Sequence, residues 1–376
     1  MWRKITVETE TKNEKENEKE NVTENKTENK TEMSGKSENK GILLKIYAVT
    51  VTIIAGVAMV TGIYFFRKAT REEKEVIKLV HIDKDNGNVN SDDDDNNDDI
   101  RVRETVKDYM QNGKGVMAML RELYPDNVIV YDSVTPNKYL FLPIIEGVKK
   151  NDIDNNNLKV LDNGEIQYIV DDKVKSHKGI DVSKYQKEIN WQQVAQEGVE
   201  FAMIRIGYRG YGTGVIVLDE QAVKNIEGAK AAGIDVGVYF FSQAVTEQEA
   251  VEEARFVIDN IRKYDIKYPI VFDTEEIIND EARTKDLSVD ELTDITIAFC
   301  EEVEKQGYTP AVYANLKWFT LYLDISRLDK YHKWYAYYDN SLYFPYKISM
   351  WQYSESGSVN GIEGSVDMNI SFEDWE

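Results

Sequence analysis

Eight short apolar runs recur along the second half of the chain, at 179–182, 200–207, 235–241, 268–274, 310–314, 333–338, 348–353 and 366–370. Runs this short, rich in Val, Ile, Phe and Tyr, read as strands. Between the earlier ones, 220–232, 247–264 and 289–306 carry apolar residues at helical spacing. Thr246 with Glu249, and Ser288 with Glu291, have the spacing of capping boxes; Gly233 and Gly307 stand where C-terminal caps belong. Strands alternating with helices predict a parallel sheet, and eight strands predict a closed barrel. Three helices are too few for a regular eightfold barrel. The expected fold is α/β: an irregular (β/α) TIM-like barrel over 177–376 with helices missing in its second half.

The first half reads differently. Residues 1–41 repeat Glu, Asn, Lys and Thr, with 9 basic against 10 acidic residues. Such a tail cannot bury enough apolar surface to offset its ordering entropy, so disorder is expected. The run 46–66, inside a segment placed at 42–67, carries no charge over 21 residues, with Tyr47 and Tyr64 near its ends. At about 1.5 Å per residue it is long enough to cross a bilayer as one helix. It is too long and too far from Met1 for a cleaved signal peptide. Arg67, Lys68, Arg71, Lys74 and Lys78 follow it, a bias that by charge would leave the C-terminal side cytoplasmic. The orientation expected is nonetheless the opposite one, with the C-terminal part outside. Residues 68–100 read as an acidic linker; its run 91–99 lacks the Gly and distal Glu of a calcium loop. Residues 101–176 read as a small α+β spacer module with one or two helices, three short strands and a turn at Asn163-Gly164.

Composition narrows the function. The net charge of −22, from 46 basic and 68 acidic residues, argues against a nucleic-acid partner, which needs a basic footprint. One cysteine, Cys300, and three scattered histidines, His81, His177 and His332, exclude a disulfide framework and make a thiolate or His-rich metal site unexpected. No metal or organic cofactor is called for. Nothing in the sequence fixes an oligomeric state.

Barrel enzymes of this kind work at the C-terminal ends of their strands. Asp181 ends the first run, Asp273 and Glu275 end the fourth, and Asp367 lies on the last. Asp273 and Glu275, at i and i+2 on a strand, point to the same face about 6.6 Å apart, from a rise of roughly 3.3 Å per residue. Two carboxyls that close do not both ionise freely, and one is expected to keep its proton. An acid beside an anion is what glycosidic cleavage needs. Tyr208, Tyr239, Phe241, Tyr313, Trp334, Tyr337, Trp351 and Tyr353 sit on or just after the same runs. They divide between core packing and walls that stack on sugar rings. Arg205, on the second run, reads as either a buried partner of the carboxylates or a surface side chain.

Several of these segments together resemble one family. Lys178-Gly179-Ile180-Asp181-Val182-Ser183 with Asn190-Trp191 is similar to the opening of glycoside hydrolase family 25, the Chalaropsis-type lysozymes or N-acetylmuramidases. Phe201 to Arg205, Gly237 to Phe241 and Val271-Phe272-Asp273-Thr274-Glu275 resemble its second, third and catalytic strands. Trp351-Gln352-Tyr353 and Val366-Asp367-Met368-Asn369 resemble its last two. The likeness spans about 200 residues and does not reach 1–176. It implies cleavage of the β-1,4 bond between N-acetylmuramic acid and N-acetylglucosamine in peptidoglycan. By resemblance Glu275 would be the proton donor and Asp273 would stabilise the reacting sugar, with Asp181 and Asp367 shaping the site. Tyr239, Tyr313, Trp334 and Gln352 would contact substrate. Arg205 departs from the family pattern, which leaves its role open.

The expected route has net retention, with the sugar's own 2-acetamido oxygen attacking the anomeric carbon; direct attack by Asp273 is the alternative. Two rival classes stand beside it. A chitin-cleaving enzyme would also use Asp-x-Glu, but 268–272 holds no further acid. A non-catalytic wall-binding scaffold would have little need of all four acids. The part 177–376 has 19 basic and 35 acidic residues, so electrostatic attraction cannot recruit it to an acidic wall. A membrane anchor could.

Overall fold

The structure is a computed structural model that describes residues 93–113, 115–132, 138–277 and 282–375. The chain divides into two units, Met1–Arg101 and Val102–Glu376. The tail over 1–41 and the apolar run 46–66 lie outside the described residues. Among those described, no helix is long and apolar enough to cross a membrane. Helix α1, Asp93–Gln111, begins inside the acidic run that reads as linker. An acidic sequence suits a helix N-terminus, where the dipole favours negative charge.

From Val102 onward the first elements are small. Helix α2 (Val116–Leu123) leads into a hairpin of β1 (Asn127–Asp132) and β2 (Lys138–Pro143). A three-stranded antiparallel sheet follows, made of β3 (Leu158–Val160), β4 (Ile166–Val170) and β5 (Lys173–Val174).

The barrel begins with β6 (His177–Val182), α3 (Trp191–Gln196), β7 (Phe201–Arg209) and β8 (Ile216–Leu218). It continues with α4 (Ala222–Ala231), β9 (Asp235–Phe241), α5 (Glu247–Ile261) and β10 (Ile270–Asp273). Then come α6 (Val289–Lys305), β11 (Pro310–Asn315), α7 (Leu316–Leu321), β12 (His332–Ala336), β13 (Met350–Gly357) and β14 (Val366–Ser371). Strands β6, β7, β9, β10, β11, β12 and β13 pair in parallel in that order, and β14 closes the ring between β13 and β6. This is a mixed eight-stranded barrel, with β8 a hairpin extension of β7. The expectation of a parallel sheet fails at β14, which is antiparallel to both neighbours. The cause is chain length. Only residues 358–365 join β13 to β14, and a parallel crossover needs about a dozen residues or more.

Two short helices, α3 and α7, and the strand β8 escape the sequence reading because each is too short to show a period. Ser288 and Glu291 form a complete capping box. At Thr246 only half the motif forms: Thr246 caps Glu249 N–H, while the Glu249 carboxylate turns to Val245 N–H and Arg283.

Strand alternation sorts the core into two layers. Inside the barrel lie Phe201, Met203, Tyr239, Val271, Tyr313, Trp334 and Met350. Outside, between strands and helices, lie Trp351, Tyr353, Tyr335 and Phe272 with the apolar faces of α5 and α6. Phe201 stacks on Tyr268 at 4.4 Å, and Gly179 is what admits its ring: a Cβ there would stand 2.1 Å from it.

No helix separates β12 from β13. Chain from before the barrel lies along that connection instead. Lys347 N–H donates to Lys149 O at 2.9 Å and Asn151 N–H to Pro345 O at 2.9 Å. Asn155 exchanges side-chain bonds with the Leu342 backbone, and Tyr346 accepts from Ile145 N–H at 3.0 Å. The backbone groups a helix would have satisfied are thus paired with residues 145–155.

Candidate active site

Parallel strands β6 and β10 deliver Asp181 and Asp273 to the barrel's C-terminal rim. Because β14 runs the other way, its N-terminal end reaches the same rim, and Asp367 stands directly opposite Asp181 in the ladder. All three are buried. The antiparallel strand is therefore what brings the fourth acid to the group.

Strand β10 stops at Asp273, so Glu275 lies just beyond it and not on the strand itself. The two acids still meet: their side chains are hydrogen-bonded to each other. Thr274 between them is fixed from two sides. Its N–H donates to Tyr313 O at 3.3 Å, and its Oγ1 accepts from the Trp318 indole at 2.9 Å. On the other flank, Ser242 N–H donates to Asp273 O at 2.9 Å. Ser242 Oγ donates to the buried Glu253 carboxylate at 2.6 Å, which Arg209 Nε also holds at 2.7 Å. Burial still pushes Glu253 up to about 7.

Asp273 is strongly perturbed. Burial raises its pKa well above the ordinary value, and the neighbouring Glu275 and Asp181 raise it further. Arg205 opposes this and does not overcome it. Among the described residues, Asp273 Oδ1 has no hydrogen-bond partner. Burial and the neighbouring acids therefore favour the protonated form of Asp273.

A single amide ties the other acids together. Gln352 Nε2 donates to Asp181 Oδ2 at 2.7 Å and to Asp367 Oδ2 at 3.3 Å. Its Oε1 accepts from Tyr313 at 2.7 Å and Tyr338 at 3.0 Å. Asn369 Nδ2 adds a bond to Asp181 Oδ2 at 2.8 Å, while its Oδ1 accepts from the Trp334 indole at 2.8 Å. Trp334 is 1% exposed and packs edge-on against Tyr239 and Tyr313, so it forms the floor beneath the acids. The Tyr239 hydroxyl is held well above its usual range by burial and by the Asp181 charge, and stays a neutral donor. Replacing Gln352 with Leu removes the bridge from two carboxylates and two hydroxyls. We expect a loss of roughly 3 kcal/mol or more in unfolding free energy, measured by denaturant titration, because hydrogen bonds to charged groups are worth about 1.5–3 kcal/mol each.

The remaining aromatics separate by face. Trp351 and Tyr353 point outward into the core and do not line the rim. Tyr338, not singled out in the sequence, does reach it. Trp334, Ala336 and Tyr338 share one face of a strand and its extension, so period-two spacing points to it. Asn369 follows from Asp367 by the same spacing. Arg205 finds its counter-ion in Asp219, with Nε to Oδ2 at 2.8 Å, and not among the four acids. Its guanidinium lies over Tyr185 and Tyr208. Among the described residues, no group of three or more His, Cys, Asp or Glu is disposed to hold a metal ion.

Comparison with known proteins gives the family. The family model described as Glycosyl hydrolases family 25 matches residues 180–362. "Uncharacterized protein YegX" of Escherichia coli O157:H7 is 30% identical over 199 residues, covering 51% of this chain and 68% of that protein. The chain belongs to glycosyl hydrolase family 25. It is a glycoside hydrolase, and Asp181, Asp273 and Glu275 lie within the matched region, with Asp367 five residues beyond its end. "Autolytic lysozyme" of Clostridium acetobutylicum is 26% identical over 193 residues, covering 51% of this chain and 55% of that protein. Among solved structures, the modular autolysin LytC of Streptococcus pneumoniae is similar, with 24% identity and a TM-score of 0.48. That match covers 67% of this chain and 57% of that one.

Proposed function

We propose that this family 25 enzyme hydrolyses peptidoglycan at the β-1,4 bond between N-acetylmuramic acid and N-acetylglucosamine. The observation that carries the reading is the hydrogen-bonded Asp273–Glu275 pair, held inside a ring of buried acids with its proton drawn to Asp273. The shared proton reaches the bridging oxygen through Glu275, and the leaving sugar departs as an alcohol. As it leaves, the acetamido oxygen of the muramic sugar bonds to the anomeric carbon and the amide nitrogen becomes positive. Asp273, now ionised, holds that N–H⁺. Water then adds to the anomeric carbon while Glu275 takes its proton, the amide is released, and configuration is retained. Asp181, Asp367 and Gln352 keep the rim rigid; Tyr239 donates its hydroxyl to the substrate, and Tyr313, whose proton goes to Gln352, can only accept from it.

An Asp273 that rests neutral and ionises only as the leaving group departs suits holding the amide better than attacking the anomeric carbon. Trapping a covalent glycosyl ester on Asp273 would reverse that preference. The deciding experiment digests purified peptidoglycan and identifies by mass the sugar at each new reducing end. N-acetylmuramic acid is expected. N-acetylglucosamine, or release from chitin alone, would refute the assignment, and binding without lysis would favour a scaffold.

We place the catalytic unit at the outer face of a membrane, held by a single helix over 46–66. The support is the length and lack of charge of that run, together with a wall substrate that an acidic enzyme does not attract.

A further inference from the structure

Residues Tyr337 and Tyr338 follow β12 and face opposite ways. Tyr338 turns inward, and its hydroxyl donates to Gln352 Oε1 at 3.0 Å. Tyr337 turns outward and stacks on Tyr335 at 5.8 Å with planes 10° apart. Its backbone is bound to β13 on both sides. Tyr337 N–H donates to Gln352 O at 3.0 Å, and Trp351 Nε1 donates to Tyr337 O at 2.7 Å. The Tyr337 hydroxyl reaches Asp339 Oδ2 at 3.4 Å within the same connection, and its shorter bond comes from outside the barrel. Arg121 of α2 donates from Nη2 to the Tyr337 hydroxyl at 2.8 Å.

The guanidinium is seated on aromatic faces, with its buried Nε lacking a hydrogen-bond partner among the described residues. It lies 3.5 Å above the centroid of the Tyr343 ring and 5.6 Å from that of Tyr337. Tyr343 is pinned in turn, accepting from Ile129 N–H at 2.9 Å and donating to Asn127 O at 3.2 Å. A cation stacked between two tyrosines, with one hydroxyl accepting from it, is a directional contact that plain apolar packing would not supply. It falls where the barrel has no helix of its own to steady the β12–β13 connection.

We propose that Arg121 is a positioning residue for the hydrolytic site. It fixes Tyr337, and through the shared backbone it fixes Tyr338 and the Gln352 bridge to Asp181 and Asp367. The upstream residues would then belong to the working enzyme. Nothing in the family 25 region, residues 180–362, includes Arg121. The inference rests on the muramidase reading, and the test separates the two.

Arg121→Met keeps much of the bulk and loses the charge and donor. Tyr337→Phe loses only the hydroxyl, which accepts from Arg121 and donates to Asp339 Oδ2 at 3.4 Å. Each is made in the full chain, alone and together, and kcat and KM are measured on solubilised glycan strands alongside the melting temperature. Each single change is expected to lower kcat about tenfold with KM within about twofold, since small misplacements at an active site are costly in rate. The double variant should be no slower than the slower single, because both cut the same link. Arg121→Lys should recover part of the lost rate by restoring a donor. Additive losses, or variants that melt earlier yet keep the wild-type kcat, overturn the positioning role alone. An inert wild-type enzyme overturns the muramidase reading, and the positioning role with it.

Discussion

Glu275→Gln is expected to lower kcat on peptidoglycan by about a thousandfold or more, while the protein still binds glycan and melts near the wild-type temperature. A positioned general acid contributes roughly 10²–10⁴ in rate, and here one residue serves as acid in the first step and base in the second. The amide fills the same space and still donates to a glycosidic oxygen, but it cannot release a proton. Folding should be little affected because Glu275 is only half-buried and lies beyond the end of β10. The measurement is release of reducing ends from purified walls, compared with pull-down of the same walls by the inactive variant. Undiminished turnover would remove Glu275 from the mechanism, and a rate loss matched by lost wall binding would move it from acid to ligand.

Much of this site could be read from local pattern. Asp181, Asp273 and Asp367 each end or begin an apolar run, and a strand that must be buried on both faces leaves its acids only at the rim. Barrel closure gathers Asp181, Asp273 and Glu275; Asp367, at the start of β14, joins them only because that strand runs the other way. Direction was another matter. Apolar alternation is the same read forwards or backwards, so nothing in 366–370 distinguished an antiparallel β14 from a parallel one. The eight residues between β13 and β14 carried that information, through the minimum length of a crossover.

Long-range pairing was illegible for a related reason. Arg121 lies 216 residues from Tyr337, and Asn155 lies 187 from Leu342. Tyrosine and asparagine have no periodic signature that would announce such partners. The same holds for Arg205, whose counter-ion Asp219 sits 14 residues away on the far side of the β7–β8 hairpin. The proton distribution within the Asp273–Glu275 pair was half legible. That one proton is shared follows from proximity; that it settles on Asp273 follows from burial, which spacing cannot rank.

That burial gives the second large expectation: Asp273→Asn should be more stable than the wild type at neutral pH and nearly inactive. The ordinary aspartate value is 3.8, and the folded value lies well above it. Between those two values the native state keeps a proton that the unfolded chain has released, so wild-type stability falls as pH rises through this window. Asn has no proton to lose and takes the place of the neutral acid without that penalty. The difference in melting temperature should therefore be smallest near pH 3, where Asp273 is neutral in both states, and should widen through pH 5 to 7 in favour of the variant. Activity moves the other way. The amide cannot become the anion that balances the positive acetamido group, and the shared proton is gone, so a fall in kcat of about a hundredfold or more is expected. Thermal melts of both proteins from pH 3 to 7, run beside wall digestion, check the two halves together. A variant that loses stability as pH rises, or one that keeps wild-type turnover, would show that Asp273 is ionised at rest and that burial is not what sets its chemistry.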